Sequence, residues 1–82
     1  MLLAIDAGNT NIVFALMDDE TIKARWRIAT DARRTADEYA VWLSQLLALE
    51  GLSFADLNAA IIATVVPAVL FDLRDMCRKY LK

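Results

Sequence analysis

The chain has 82 residues, 59% of them apolar, a net charge of −2 and no histidine. That length suits one small domain, and its charges are of mixed sign, which excludes the basic field that recruits nucleic acid. The lack of histidine removes the commonest metal ligand and the Ser–His and Cys–His nucleophile pairs.

The apolar share also exceeds the roughly 45–50% usual in soluble globular proteins. A domain this small buries only about 60–65% of its unfolded surface, so some apolar surface is expected to be covered by something further. Leu2–Ile5 reads as a short strand buried on both faces. The N-terminus lacks a cationic region and Asp6 interrupts its apolar run, so no signal peptide is expected. Ile12–Met17 is a second strand, Asp18-Asp19-Glu20 a polar turn, and Thr21–Ala29 a third strand. In the third strand Ile22, Ala24, Trp26 and Ile28 should point one way and Lys23, Arg25 and Arg27 the other. With Arg33 and Arg34, these cations read as a solvated face. Three strands joined by short turns make an antiparallel meander.

The apolar period then changes from two to 3.6. Thr35 followed by Glu38 is a capping-box signature, Tyr39, Trp42, Leu43, Leu46 and Leu47 form a helical stripe, and Gly51 suits the stop. Ser53–Asp56 suggests a turn or a single helical turn. Ala59–Val66, "AAIIATVV", reads as a central strand covered on both faces, with a parallel neighbour. The apolar stretch Ala59–Phe71 is too short for a membrane span. Pro67 fits the first position of a second helix, whose apolar face would be Leu70, Leu73, Met76, Cys77, Tyr80 and Leu81. Cys77 is the only cysteine, so no internal disulfide forms, and a cytoplasmic protein is expected. The order is β-β-β-α-β-α, an α/β fold in which the crossover sets the fourth strand parallel to the first.

Chemistry concentrates in Asp6-Ala7-Gly8-Asn9-Thr10-Asn11, between the first two strands. A glycine lets phosphate approach the backbone, and Asn9, Thr10 and Asn11 offer amide and hydroxyl donors. Asp6 could hold Mg²⁺ directly or through water. The bland alternative is a hairpin loop in which Gly8 and an Asn relieve positive φ. The stretch matches neither G-x-x-x-x-G-K-[ST] nor G-x-G-x-x-G. Against the hairpin stand a loop longer than a tight turn needs, and the neighbouring end of the fourth strand, where open α/β sheets bind ligands.

Asp6 to Thr10 resembles the D-x-G-N-T phosphate motif of type III pantothenate kinases, members of the acetate and sugar kinase/Hsp70/actin superfamily. Arg25-Trp26-Arg27, the "TADEY" of Thr35–Tyr39, and Thr64-Val65-Val66-Pro67, where the family usually has S-V-V-P, agree in order and spacing. The resemblance covers the whole chain but only the N-terminal part of the family's length. It implies a ribonuclease H-like (actin-like ATPase) domain, residues 1–82 being its N-terminal part and a second domain absent. A further strand would follow the second helix in that fold, so without it the fourth strand becomes an edge.

The implied reaction is ATP-dependent phosphorylation of pantothenate, the first step of coenzyme A synthesis. By the same resemblance Asp6 serves Mg²⁺ and the phosphates, Gly8, Asn9 and Thr10 hold ATP phosphates, and Ala7 and Asn11 belong to the same loop. Some members carry lysine where Val13 stands, which puts a cationic phosphate contact there in doubt. The G-x-D-R motif, with the aspartate proposed as general base, does not occur, the only glycines being Gly8 and Gly51. The K⁺ or NH₄⁺ site of the family is also expected to lie outside the chain, and the full-length protein to be a homodimer. A ribonuclease H-like nuclease is disfavoured by a shortage of carboxylates: the fourth strand ends in Thr64, and the first helix offers only Asp37, Glu38 and Glu50. Transcription-accessory factors resemble the same family, so a regulatory protein that binds nucleotide without phosphoryl transfer is the alternative function.

Overall fold

The computed structural model describes residues 1–81. Strands β1 (Leu2–Ala7), β2 (Asn11–Asp18) and β3 (Thr21–Ala29) form the expected antiparallel meander. Helix α1 (Ala36–Leu49) and a 3₁₀ turn (Phe54–Asp56) lead to β4 (Ala59–Thr64), which pairs in parallel with β1. Helix α2 (Pro67–Tyr80) follows, and the sheet order is β3-β2-β1-β4. Order, direction of pairing and fold class are those expected.

Local chemistry explains the helix ends. Thr35 N–H donates to Glu38 Oε1 (2.8 Å) and Glu38 N–H to Thr35 Oγ1 (3.2 Å), the reciprocal bonds of a capping box. At the other end Gly51 takes φ +74°, a conformation that disfavours a side chain. There Leu52 N–H reaches Leu47 C=O (2.9 Å) and Gly51 N–H reaches Ala48 C=O (3.0 Å), a Schellman closure.

The core lies between the two helices and one face of the sheet. Leu3, Ile5, Ala7, Ile12, Phe14 and Leu16 are all at most 2% exposed, packed with Tyr39, Leu43 and Leu47 of α1 and Val69, Leu73 and Met76 of α2. Phe14 anchors this layer through the Trp42 ring, edge-on at 5.0 Å between centroids.

Four expectations need correction. First, β1 and β4 are covered on one face only: Ile61 is 59% exposed and Asp6 also faces solvent. Both helices pack on that inner face: α1 crosses it between β3 and β4, and α2 turns back onto it after β4. Second, β4 ends at Thr64, since Thr64 Oγ1 accepts from Val66 N–H (2.8 Å) and turns the chain out of the ladder. Third, Ile22 does not share a face with Ala24, Trp26 and Ile28. The register passes from Leu16 opposite Ala24 to Met17 opposite Ile22, leaving Lys23 unpaired in a bulge that moves Ile22 to the outer face. Fourth, the buried stripe of α2 runs through Val69, Leu73 and Met76, while Leu70 and Cys77 are half-buried and Tyr80 is exposed. The helix leans towards α1 as well as the sheet, and this turns Val69 inward.

Among the described residues no strand pairs with the outer side of β4. A groove of about 450 Å³ runs there, with Ala60 and Ile62 of β4 and Leu70 and Cys77 of α2 as its apolar lining and Asn58, Arg74 and Arg78 as its polar lining. Unpaired N–H and C=O groups beside exposed apolar side chains favour association. The 82-residue chain is expected to self-associate in a light-scattering concentration series, and Ile61→Lys to reduce the effect without loss of helical circular dichroism. A monomer at all concentrations would show that edge and face are protected.

Candidate functional site

β1 ends beside β4, and the loop from Gly8 to Thr10 leaves from that end. Ala7 C=O accepts from Thr64 Oγ1 (3.2 Å) and lies 3.4 Å from Val65 N, so the β1 and β4 ends are tied together. Thr64 thus keeps the hydroxyl of the expected serine and uses it as a brace. Helix α2 begins at once after this junction, with Pro67 at its first turn and no side-chain cap. Its N-terminal partial positive charge therefore sits at the same end of the sheet.

The loop closes through Gly8 N–H donating to Asn11 C=O (2.9 Å). Gly8 N–H is accordingly engaged within the hairpin and is not one of the free donors of the loop. Asn9 and Thr10 are exposed, and among the described residues their N–H groups have no hydrogen-bond partner. Two free backbone donors, the Asn9 amide and the Thr10 hydroxyl thus lie on two adjacent exposed residues, donor types suited to phosphate oxygens. Asn11 is half-buried at the start of β2.

Gly8 can be tested against the two structural reasons a turn has for glycine, positive φ and crowding. Among the described residues positive φ occurs only at Asp19 and Gly51, so no residue of the loop needs glycine's left-handed freedom. A Cβ on Gly8 would meet Asn11 O at 3.4 Å, ordinary contact. The fold itself therefore makes little demand for glycine at this position.

Asp6 lies on the outer face, one residue before the end of β1, and is exposed. Ala7 is turned inward and is 1% exposed, so only its backbone is available to the loop. Asp6 joins Arg25, Val13 and Ile61 around a shallow concavity of about 450 Å³ over a floor of Ala4, Ala15 and Ala63. No group of three or more His, Cys, Asp or Glu gathers among the described residues. One exposed carboxylate beside a phosphate-type loop fits Mg²⁺ held mainly by phosphate oxygens and water, and does not fit an all-protein cage.

The sequence reading missed Thr30. Its N–H donates to Thr10 C=O (2.9 Å) and its Oγ1 to Gly8 C=O (2.8 Å), fastening the loop from β3. Its only signal was a hydroxyl directly after β3, which acquires meaning once β3 is known to end beside the loop. Just beyond it Arg33 donates to Asp31 (Nε–Oδ1 and Nη2–Oδ2, both 3.1 Å), and this pairing lowers the Asp31 pKa to about 2. The "TADEY" segment supplies the α1 cap and the buried Tyr39, and among the described residues none of its hydrogen bonds goes to residues 8–11.

A family profile described as type III pantothenate kinase matches residues 2–82. The chain belongs to that family. Over 82 residues it is 61% identical to a type III pantothenate kinase of Paramagnetospirillum magneticum, a match covering 100% of this chain and 32% of the relative. A namesake in Rhizorhabdus wittichii is 70% identical over 80 residues, covering 98% and 31% of the two chains. One in Zymomonas mobilis is 61% identical over 80 residues, covering 98% and 29%. The chain thus spans about a third of the length of these curated relatives. Its sheet order and parallel β1–β4 pair agree with the actin-like ATPase fold. No helix among the described residues is long and apolar enough to cross a membrane.

The Thr30 brace gives a direct test. Thr30→Val should remove the bond to Gly8 and lower stability by about 1 kcal/mol, read from tryptophan fluorescence in urea. The Gly8 amide should exchange faster with deuterium, and Thr30→Ser should restore most of both. Unchanged exchange in the valine variant would show that the loop holds its shape unaided.

Proposed function

We propose that residues 1–82 form the N-terminal part of the ATP-binding domain of a kinase that phosphorylates pantothenate to 4'-phosphopantothenate, the first step of coenzyme A synthesis. The observation that carries this is a braced, exposed loop with a glycine its own backbone conformation does not require, in a chain whose relatives bear that kinase's name. Asn9 and Thr10 hold ATP phosphates with free N–H groups and side chains, Gly8 leaves room for them, and Ala7 and Asn11 set the loop's two ends. Asp6 would hold Mg²⁺, and the metal, when bound, neutralises phosphate charge. K⁺ or NH₄⁺ acts elsewhere in the longer protein, which works as a homodimer in the cytoplasm. A general base and the pantothenate pocket are likewise supplied from outside this segment.

Residues 1–82 grafted in place of the matching segment of the Paramagnetospirillum magneticum relative provide the assay. Asp6→Asn in this chimera should lower pantothenate phosphorylation at least 100-fold at ordinary Mg²⁺, and Gly8→Val should weaken ATP binding with little change in melting temperature. Near-normal turnover by Asp6→Asn would remove Asp6 from the site. Nucleotide binding by a folded chimera without phosphoryl transfer would favour the transcription-accessory alternative.

The 82-residue chain alone is expected to show no kinase activity, since positioned proton transfer is typically worth about 10²–10⁴-fold. Intact-mass-verified protein that turned pantothenate over would place the base within residues 1–82.

A further inference from the structure

Thr30 holds the loop by two carbonyls, one on either side of Asn9. Its Oγ1 donates to Gly8 C=O (2.8 Å) and its N–H to Thr10 C=O (2.9 Å). Both partners are acceptors, which a phosphate does not seek. What these bonds decide is where the neighbouring donors point.

The reason is the planarity of the peptide bond. In a trans peptide the C=O and the N–H of the next residue point in opposite directions, and the described residues include no cis bond. Gly8 C=O is turned to Thr30, so the Asn9 N–H is turned away from it. That N–H is one of the free donors of the loop, on an exposed residue. The Thr30 hydroxyl therefore aims a donor that it does not touch.

Gly8 makes this aim depend on the hydrogen bond. A residue without a Cβ puts little steric restraint on the peptide that follows it. Were the Gly8–Asn9 peptide to turn over, the Asn9 N–H would face Thr30 and the Gly8 oxygen would take its place. An oxygen there repels a phosphate where the N–H attracts it. The Thr30 N–H does not prevent the turn, since it holds Thr10 C=O, two peptides further on. Among the described residues only the Thr30 hydroxyl engages Gly8 C=O.

We propose that Thr30 is a positioning residue for nucleotide binding: its hydroxyl, acting through the Gly8 carbonyl, holds the Asn9 N–H outward as a ready phosphate donor. The inference rests on the loop's being a phosphate site. It assigns a function to a residue that lies on another strand and makes no contact with the ligand.

The chimera carrying residues 1–82 supplies the test, with MgATP as the probe in titration calorimetry. Thr30→Val removes the hydroxyl at nearly constant shape and keeps the N–H bond to Thr10. It should raise the Kd for MgATP about three- to tenfold, the share of correctly turned loop that one hydrogen bond maintains. Thr30→Ala also lacks the hydroxyl and, as the second variant, should behave as the valine does. Thr30→Ser keeps it and should bring the Kd back to within about twofold of the unmodified chimera. A merely structural role would lower the melting temperature and the number of binding-competent molecules, and would leave the Kd of the remainder unchanged. That pattern in the valine and alanine variants, or a raised Kd that serine does not repair, overturns the assignment. Asp6→Asn and Gly8→Val separate it from the reading beneath it. If they impair turnover and MgATP binding while Thr30→Val leaves the Kd unchanged, the loop remains a phosphate site and only the role of Thr30 falls. If they too leave both unchanged, the loop and Thr30 fall together.

Discussion

The structure depends on β1 being paired on both sides. Its six residues run antiparallel to β2 and parallel to β4, so every inward side chain of the sheet is placed relative to Leu3, Ile5 and Ala7. Parallel pairing demands a long crossover, and α1 provides it across the inner face. The same pairing brings Thr64 to the end of β1, where its hydroxyl and the Ala7 carbonyl lock the two strand ends together. A loop leaving β1 at that point starts from a rigid base. Any change that shifted β1 by one residue would exchange the buried and exposed faces and carry Asp6 into the core.

The loop is therefore held from three directions. Its own Gly8–Asn11 bond closes the hairpin, Thr64 fixes its β1 stem, and Thr30 reaches Gly8 from β3. These contacts, with the Thr30 N–H bond to Thr10 C=O, engage the carbonyls of Gly8, Thr10 and Asn11 and the amide of Gly8. They leave the Asn9 and Thr10 donors free. A site whose donors are already oriented gives up less conformational entropy when a ligand arrives.

The two faces of the sheet divide the work. The inner face carries the core, and the outer face carries the charges of Asp6, Arg25 and Arg27, none of them in an ion pair among the described residues. Segments of the sequence that resemble the kinase family divide in the same way. "TADEY" caps α1 and buries Tyr39, Thr64 to Pro67 ends one strand and starts one helix, and Asp6 to Thr10 alone forms the exposed loop. Arg25-Trp26-Arg27 belongs to both, with Trp26 turned towards the core and its neighbours turned outward.

Sequence alone was enough for the features that arise from neighbours along the chain. Alternation in Thr21–Ala29, the Thr35–Glu38 cap, Gly51 and Pro67 are local signals, and each forms the element it implies. The chemical character of Asp6 to Asn11 was legible for the same reason, since its donors and carboxylate are contiguous. Tertiary structure decided what depends on residues far apart. The Leu16–Met17 register shift moved Ile22 to the other face, and the placement of both helices on one side left β1 and β4 half bare. Thr30 became a brace only because β3 ends beside the loop, and Asp6 shares a concavity with Arg25 only through the register of three strands. Periodicity tells which residues share a face of one strand; it is the pairing between strands, set by hydrogen bonds across the sheet, that tells which of them share a site.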